Sequence, residues 1–160
     1  YADLLHAVRV RSLAKLREFM ERELPPPEEP ADPGRQALRQ LTATGRGYVL
    51  FAVREPGLFD CACCGAVDVR LPRDPLLLLT AALDACVEAG ILDRDRRAGA
   101  EALAWIGVHG LAVQVLDGIH PARGPGFEAL LDRTLLFVAR GIGIGPQALG
   151  ELDRAVGHPE

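Results

Sequence analysis

Apolar positions recur at helical spacing along most of the chain. From Leu4 to Leu24 they fall at Leu5, Val8, Leu16, Phe19 and Met20, with Ser12 at the intervening turn, which predicts one helix with a single buried stripe, ended by Pro25. The stretch from Pro25 to Gly34 holds five prolines and no periodicity, and reads as a solvated linker within one domain. Asp32-Pro33 is an N-cap followed by proline at the first helical position, and Leu38, Leu41, Gly45, Tyr48 and Ala52 then mark one face of a second helix running to about Glu55. Pro56 breaks it and starts a short third helix through Phe59 and the cysteines to Gly65, with a loop over Val67 to Arg73.

Asp74-Pro75 repeats the cap signal, and Leu76, Leu79, Leu83, Cys86 and Val87 follow at helical spacing up to Gly90, where Gly90-Ile91 resembles a left-handed C-cap with its hydrophobic contact. A fifth helix is predicted from about Asp95 to Asp117, with Ala98, Ala102, Trp105, His109, Ala112 and Leu116 on one stripe and Gly118 as its stop. Phe127, Leu130, Leu131, Thr134, Leu135, Phe137 and Val138 define a last long helix to about Arg140, and residues 144–160 read as a C-terminal tail, loose or forming a short helix. No segment alternates with period two and no hairpin signal occurs, so the expected fold is all-α, a bundle of about six helices. No repeat at a solenoid period is present.

Composition narrows the function classes. At 160 residues, 49% apolar and 25% charged, the chain suits one domain with its own core and no need of a metal or disulfide. Eighteen basic against 22 acidic residues give a net charge of −4, and no run of five like charges occurs, so this stretch lacks the footprint of a direct nucleic-acid binder. No apolar run approaches the roughly 20 residues of a membrane helix, so no membrane partner is expected. Four cysteines, three of them at 61, 63 and 64, do not space like a disulfide framework, which points to a reducing cytoplasm.

Two motifs taken together resemble the TetR/AcrR repressors. Trp105-Ile106-Gly107-Val108-His109-Gly110 matches the Trp-x-x-x-His-Gly signature of that family's WHG-type C-terminal domain, and Tyr48-Val49-Leu50-Phe51-Ala52 with Pro56 looks like its Tyr-x-x-Phe-Ala-x-x-x-Pro helix. The resemblance covers the chain from Ala2 to about Gly143 and implies that residues 1–143 form an effector-binding and dimerisation domain. It also implies a homodimer, an apolar or aromatic small-molecule effector, and operator DNA held by a helix-turn-helix unit with no counterpart in this sequence. Residues 2–8 look like the start of the family's connecting helix, so such a unit is expected ahead of Tyr1. Ligand binding would then move the helix over 3–24 and change the spacing of two DNA-reading units.

An effector pocket in a helical domain is an apolar cavity with a few fixed polar groups. Phe19, Tyr48, Phe51, Phe59, Trp105 and His109 are the candidate lining residues, with Leu79 and Leu83 opposite. The competing reading of His109 is a core histidine bonded to a backbone carbonyl. Gly107 and Gly110 lie mid-helix, where each costs about 1 kcal/mol relative to alanine, so close packing must offset them. They are placed at the dimer face with Gln114, Leu130, Thr134 and Phe137, the alternative being tight packing within one subunit.

Other chemistry is weakly signalled. Cys61-Ala62-Cys63-Cys64 contains a Cys-x-x-Cys pair that could sense oxidants, but the remaining Cys86, His6, His109, His120 and His158 form no second pair, so no metal is expected. Gly141-Ile142-Gly143-Ile144-Gly145 follows a helix rather than a strand and is no dinucleotide loop. Ser12 is the one serine and has no nucleophile elbow around it, so no catalytic residue is assigned; a Cys63–His109 thiol pair is the remaining enzymatic reading. No cofactor is expected. The rival from another class is a free-standing helical binding module for an apolar small molecule, without DNA binding.

Overall fold

The computed structural model describes residues 2–27, 32–63 and 75–150, and every regular element among them is helical. The loop expected over 67–73, the cap at Asp74, Cys64 and residues 151–160 lie outside the described residues. Helix α1 (Ala2–Glu23) stops just ahead of Pro25. Asp32 then stands in extended backbone, and its carboxylate accepts a hydrogen bond from the Arg35 amide at 3.0 Å, which fixes the start of α2 (Pro33–Arg54). At Pro56 the chain turns directly into α3 (Pro56–Cys63), because proline has no N–H to continue α2 but is favoured in the first turn of a new helix.

Helix α4 (Pro75–Glu88) ends as its sequence predicts. Gly90 adopts φ +72°, its amide bonds to the Val87 carbonyl, and the Ile91 amide reaches back to Cys86, the paired bonds of a left-handed helix stop. The next helix departs from expectation. Residues Arg94–Arg96 make a single 3₁₀ turn, and α5 runs over Ala100–Leu116 because Gly99, at φ +78°, interrupts the path from Asp95. Its buried positions are Ala100, Ala104, Val108, Leu111, Ala112 and Val115, whereas Ala98 and Ala102 are exposed; the expected stripe was rotated from the true one. Gly118 ends α5 with the same paired bonds, to Val115 and from Ile119 to Gln114. Helix α6 (Pro125–Ile142) runs two residues beyond expectation to a left-handed Gly143.

Residues 144–150, at the start of the C-terminal tail, pack against the domain. Residues 146–150 form a further helical turn, Ile144 and Leu149 are buried in the core, and the Gly145 amide bonds to the Ile91 carbonyl at 3.0 Å, beside the end of α4.

Helix α2 is the axis of the domain, touching α1, α3, α4, α5 and α6. Its C-terminal half, with Tyr48, Val49, Phe51 and Ala52, joins Leu16, Phe19 and Met20 of α1, Phe59 of α3, Leu111 and Ala112 of α5 and Leu131 of α6 in one core. Its N-terminal half, with Leu38 and Leu41, joins Leu79, Leu83 and Cys86 of α4, Ala104 of α5, Ala139 and Ile142 of α6 and the anchored Ile144 and Leu149 in another. Burying such side chains contributes about 1.5–3 kcal/mol each before conformational entropy is set against it. Polar positions inside are satisfied locally: the Ser12 hydroxyl donates to the Val8 carbonyl and the Thr44 hydroxyl to that of Leu41.

Arg46 ties three helices at the rim. Its guanidinium meets Glu23 of α1 at 3.5 Å and, on α6, Asp132 at 3.1 Å and Glu128. One cation thus faces three carboxylates. Loss of hydration holds the Asp132 carboxyl above its ordinary range against the pull of Arg46, with Glu128 adding to the rise. A carboxyl whose folded value is raised favours folding at pH below its unfolded value, and that contribution is lost as pH rises through the folded value. Asp132→Asn is therefore expected to gain stability relative to the parent as pH rises from about 3 to about 6, spanning the carboxylate range. Thermal melts of both proteins across that range test this; a difference that stays constant, or moves against the variant, contradicts it.

Candidate functional site

Where the two cores meet, α2 carries Thr44, Gly45 and Tyr48, and a cavity of about 30 Å³ opens between them. Its walls are Met20 of α1, Thr44, Gly45 and Tyr48 of α2, Leu79 of α4, Ala104, Trp105 and Val108 of α5, and Leu135 and Val138 of α6, and the lining is almost wholly apolar. Close approach creates the site as much as side-chain shape does. A Cβ on Gly45 would come within 2.6 Å of Leu135 Cδ2 and 3.1 Å of Val108 Cγ1, so a side chain there would force Leu135 of α6 and Val108 of α5 to shift. Ligand pockets measure about 300–1,000 Å³, so this cavity is too small to hold a ligand without a shift of its walls.

Of the eight residues the sequence suggests for a pocket, Tyr48, Leu79 and Trp105 stand in this wall. Phe19, Phe51 and Phe59 lie behind it in the α1–α2–α3 core, with the Phe19 and Phe51 rings edge to face at 5.6 Å and those of Phe51 and Phe59 at 6.3 Å. Leu83 is fully buried in the other core. His109 sits behind Tyr48. Its Nδ1 lies 2.8 Å from the Tyr48 hydroxyl, so the partner of that nitrogen is a side chain, and its ring stacks on Phe59 at 5.7 Å. The Tyr48 ring packs edge-on against Trp105 at 4.8 Å and against Phe59 at 5.6 Å. Burial, with Cys63 adding to it, raises the Tyr48 phenol far above its ordinary range, so it stays neutral.

Sequence reasoning missed Met20, Thr44, Gly45, Ala104, Val108, Leu135 and Val138 as wall residues. Gly45 carried a signal, being a glycine inside a periodic helix; the small and aliphatic ones carried none that separates a cavity wall from ordinary core. A second, mixed-polarity groove of about 200 Å³ lies among Asp32, Gly34, Arg35, Ile91, Gln147 and Ala148. Among the described residues, no three His, Cys, Asp or Glu side chains gather as a metal would require, and no helix is long and apolar enough to cross a membrane.

The residues expected at a dimer face separate into two groups. Phe137 is 71% exposed, Gln114 is exposed and Gly110 borders open space. Leu130 and Thr134 are half-buried, with the Thr134 hydroxyl donating to the Leu130 carbonyl. Gly107 faces inward: a Cβ there would run into Val138 of α6 in the same chain, so its missing side chain serves packing within the subunit. Exposed Leu103, Ile106 and Val113 join Gly110 at spacings of three and four residues along α5 and form an open apolar face that the sequence reading did not separate from the core.

The family model described as the Tetracyclin repressor-like C-terminal domain matches residues 41–138, more than half of the chain. The chain belongs to that family. Neither a curated protein nor a solved structure matches it. The span matched in this repressor-like domain runs from Leu41 to Val138, so it contains the Tyr48-to-Pro56 motif, the Trp105-to-Gly110 motif and every wall residue except Met20. Met20 comes from α1, which lies ahead of the matched span and closes the cavity from outside it. The family is one of ligand-binding regulators.

Proposed function

We propose that this chain is the small-molecule-binding and dimerisation part of a ligand-responsive DNA-binding transcriptional regulator, a repressor whose operator is read by a separate N-terminal domain. The observation that carries the reading is the small apolar cavity with α1 in its wall. At about one-tenth of the smallest ordinary ligand pocket, it admits an apolar or aromatic effector only by moving its walls, and Met20 makes α1 one of them. A ligand that favours the open arrangement shifts the position of α1 through its differential affinity for the two states, and operator affinity changes by the same coupling.

The test is thermal unfolding of the full protein with apolar and aromatic small molecules. A specific ligand at about 100 times its Kd adds about 2.7 kcal/mol of apparent stability. Val108→Ile puts one methylene, worth about 0.8 kcal/mol when buried, towards a space of about 30 Å³. The variant is expected to melt slightly above the parent and to lose most of the ligand's effect. Equal stabilisation of both proteins would place the ligand elsewhere. Ligand binding without ligand-sensitive DNA binding by the intact protein would overturn the regulator reading and favour a simple binding module.

Dimerisation is proposed through the face of Leu103, Ile106, Gly110 and Val113 on α5 with Phe137 on α6. Sedimentation equilibrium is expected to give twice 17.2 kDa for the chain and a single chain mass for Ile106→Glu with Phe137→Glu, both positions being exposed so that the fold itself survives. A double variant that stays dimeric removes this face from the assembly.

A further inference from the structure

Three side chains form a chain beside the cavity, from exposed Cys63 through buried Tyr48 to half-buried His109. Cys63, at the end of α3, is exposed, and its Sγ lies 3.6 Å from the hydroxyl of Tyr48, which is 2% exposed. The same hydroxyl lies 2.8 Å from His109 Nδ1. One O–H can donate to only one of these neighbours, and two of the chain's proton arrangements differ by the passage of a proton from sulfur to imidazole. In one, the Cys63 thiol donates to the Tyr48 oxygen and Tyr48 donates to a neutral His109. In the other, the protons have each moved one step: His109 donates to the Tyr48 oxygen, and Tyr48 donates to a Cys63 thiolate.

We propose that Cys63 is a covalent-modification site for soft carbon electrophiles of the α,β-unsaturated carbonyl class, its thiol activated by His109 through the Tyr48 hydroxyl. The thiolate is the reactive form of cysteine, and here the proton has a defined route to a base. Tyr48 passes it without becoming charged itself. The step needs no oxidant: the S–H bond breaks, a bond forms between sulfur and the β-carbon, and the carbon–carbon π pair moves to the α-carbon. That carbon takes up one proton, replacing the proton sulfur gave up, and the sum is thiol plus enone giving a thioether. Two other cysteines serve as references. Cys61 is half-buried on the same helix, and Cys86 is fully buried, its thiol pushed up to about 12 by burial.

The reactivity stands apart from the regulator reading; its consequence rests on it. Tyr48 is both the middle of this chain and part of the cavity wall, and α3 packs against α1. An adduct at Cys63 would therefore act on the same walls that an effector must move.

The experiment is timed labelling of the full protein with N-ethylmaleimide, read site by site by mass spectrometry without DNA or effector, so that its failure and that of the regulator reading are distinct. Cys63 is expected to react about ten-fold faster than Cys61 near pH 7, because its proton has a base to go to. Tyr48→Phe and His109→Gln should each remove that advantage and leave Cys61 unchanged. Cys63 reacting no faster than Cys61, or keeping its advantage in both variants, overturns the proposal. Labelling of Cys86 reports a variant that has lost its fold, and the pH profile of the parent then decides. Half-maximal labelling of Cys63 at lower pH than Cys61 supports the relay, and coincident profiles refute it.

Discussion

Phe51→Ala is expected to remove about 3–5 kcal/mol of stability, the usual cost of emptying a buried phenylalanine site. The ring has no exposed surface and lies between Phe19 of α1 and Phe59 of α3, so its loss opens a void with three helices around it. In a domain of this size each kcal/mol shifts the melting temperature by roughly 2–4 °C, so a drop of about 6–20 °C should appear in a thermal scan. Hydrogen exchange should locate the damage, with amides of α1 losing protection ahead of those of α4. A loss under about 1 kcal/mol would mean that the neighbouring rings collapse into the void and that α1 does not depend on this contact.

Gly47→Ala should be nearly as harmful for the opposite reason. The added Cβ would stand 2.5 Å from Met20 Cα, 2.7 Å from the Phe19 carbonyl oxygen and 2.8 Å from the Met20 nitrogen, all backbone atoms that cannot rotate away. Overpacking of this kind costs about 1–3 kcal/mol or more, and the helix preference of alanine returns at most about 1. A net loss of about 2 kcal/mol is expected in denaturant titration, together with displacement of α1. Gly57→Ala, where the added atom meets nothing within 4 Å, should be neutral or slightly stabilising and so serves as the control. Equal behaviour of the two variants would show that α1 is not seated on α2 at this point.

Local signals were read well because their causes are local. Asp32-Pro33, Pro56, Gly90 and Gly118 each act through a hydrogen bond or a dihedral angle within a few residues, and each marks the boundary it predicts. Helix α5 was harder. Apolar side chains surround it, with Leu103, Ile106 and Val113 outward and Val108, Leu111 and Val115 inward, so no single face declares itself and the stripe its spacing predicts lies about one position out of register. Its first turn failed because Gly99 takes a left-handed conformation inside an otherwise helical pattern. The cavity was legible in part. Tyr48 and Trp105 announce themselves as aromatic residues on helical faces, whereas Met20, Ala104 and Val138 reach the wall through the crossing of helices distant in sequence. Gly107 shows the same limit from the other side: a mid-helix glycine signals close packing but does not say whether the partner is in the same chain.

The close seat of Phe19 and Met20 on Gly47 also sets how α1 can move. It is a fulcrum placed near one end of the helix. At 1.5 Å per residue, the arm from Phe19 to Glu23 is about 6 Å and the arm from Phe19 back to Ala2 about 26 Å. The short arm ends at the ion pair of Glu23 with Arg46. A displacement of 1 Å there swings the far end about 4 Å in the opposite direction, by the ratio of the two arms. A helix turning rigidly about that seat would have a mechanical advantage of about four, so a small shift at Glu23 would become a movement of atomic dimensions at the start of the helix.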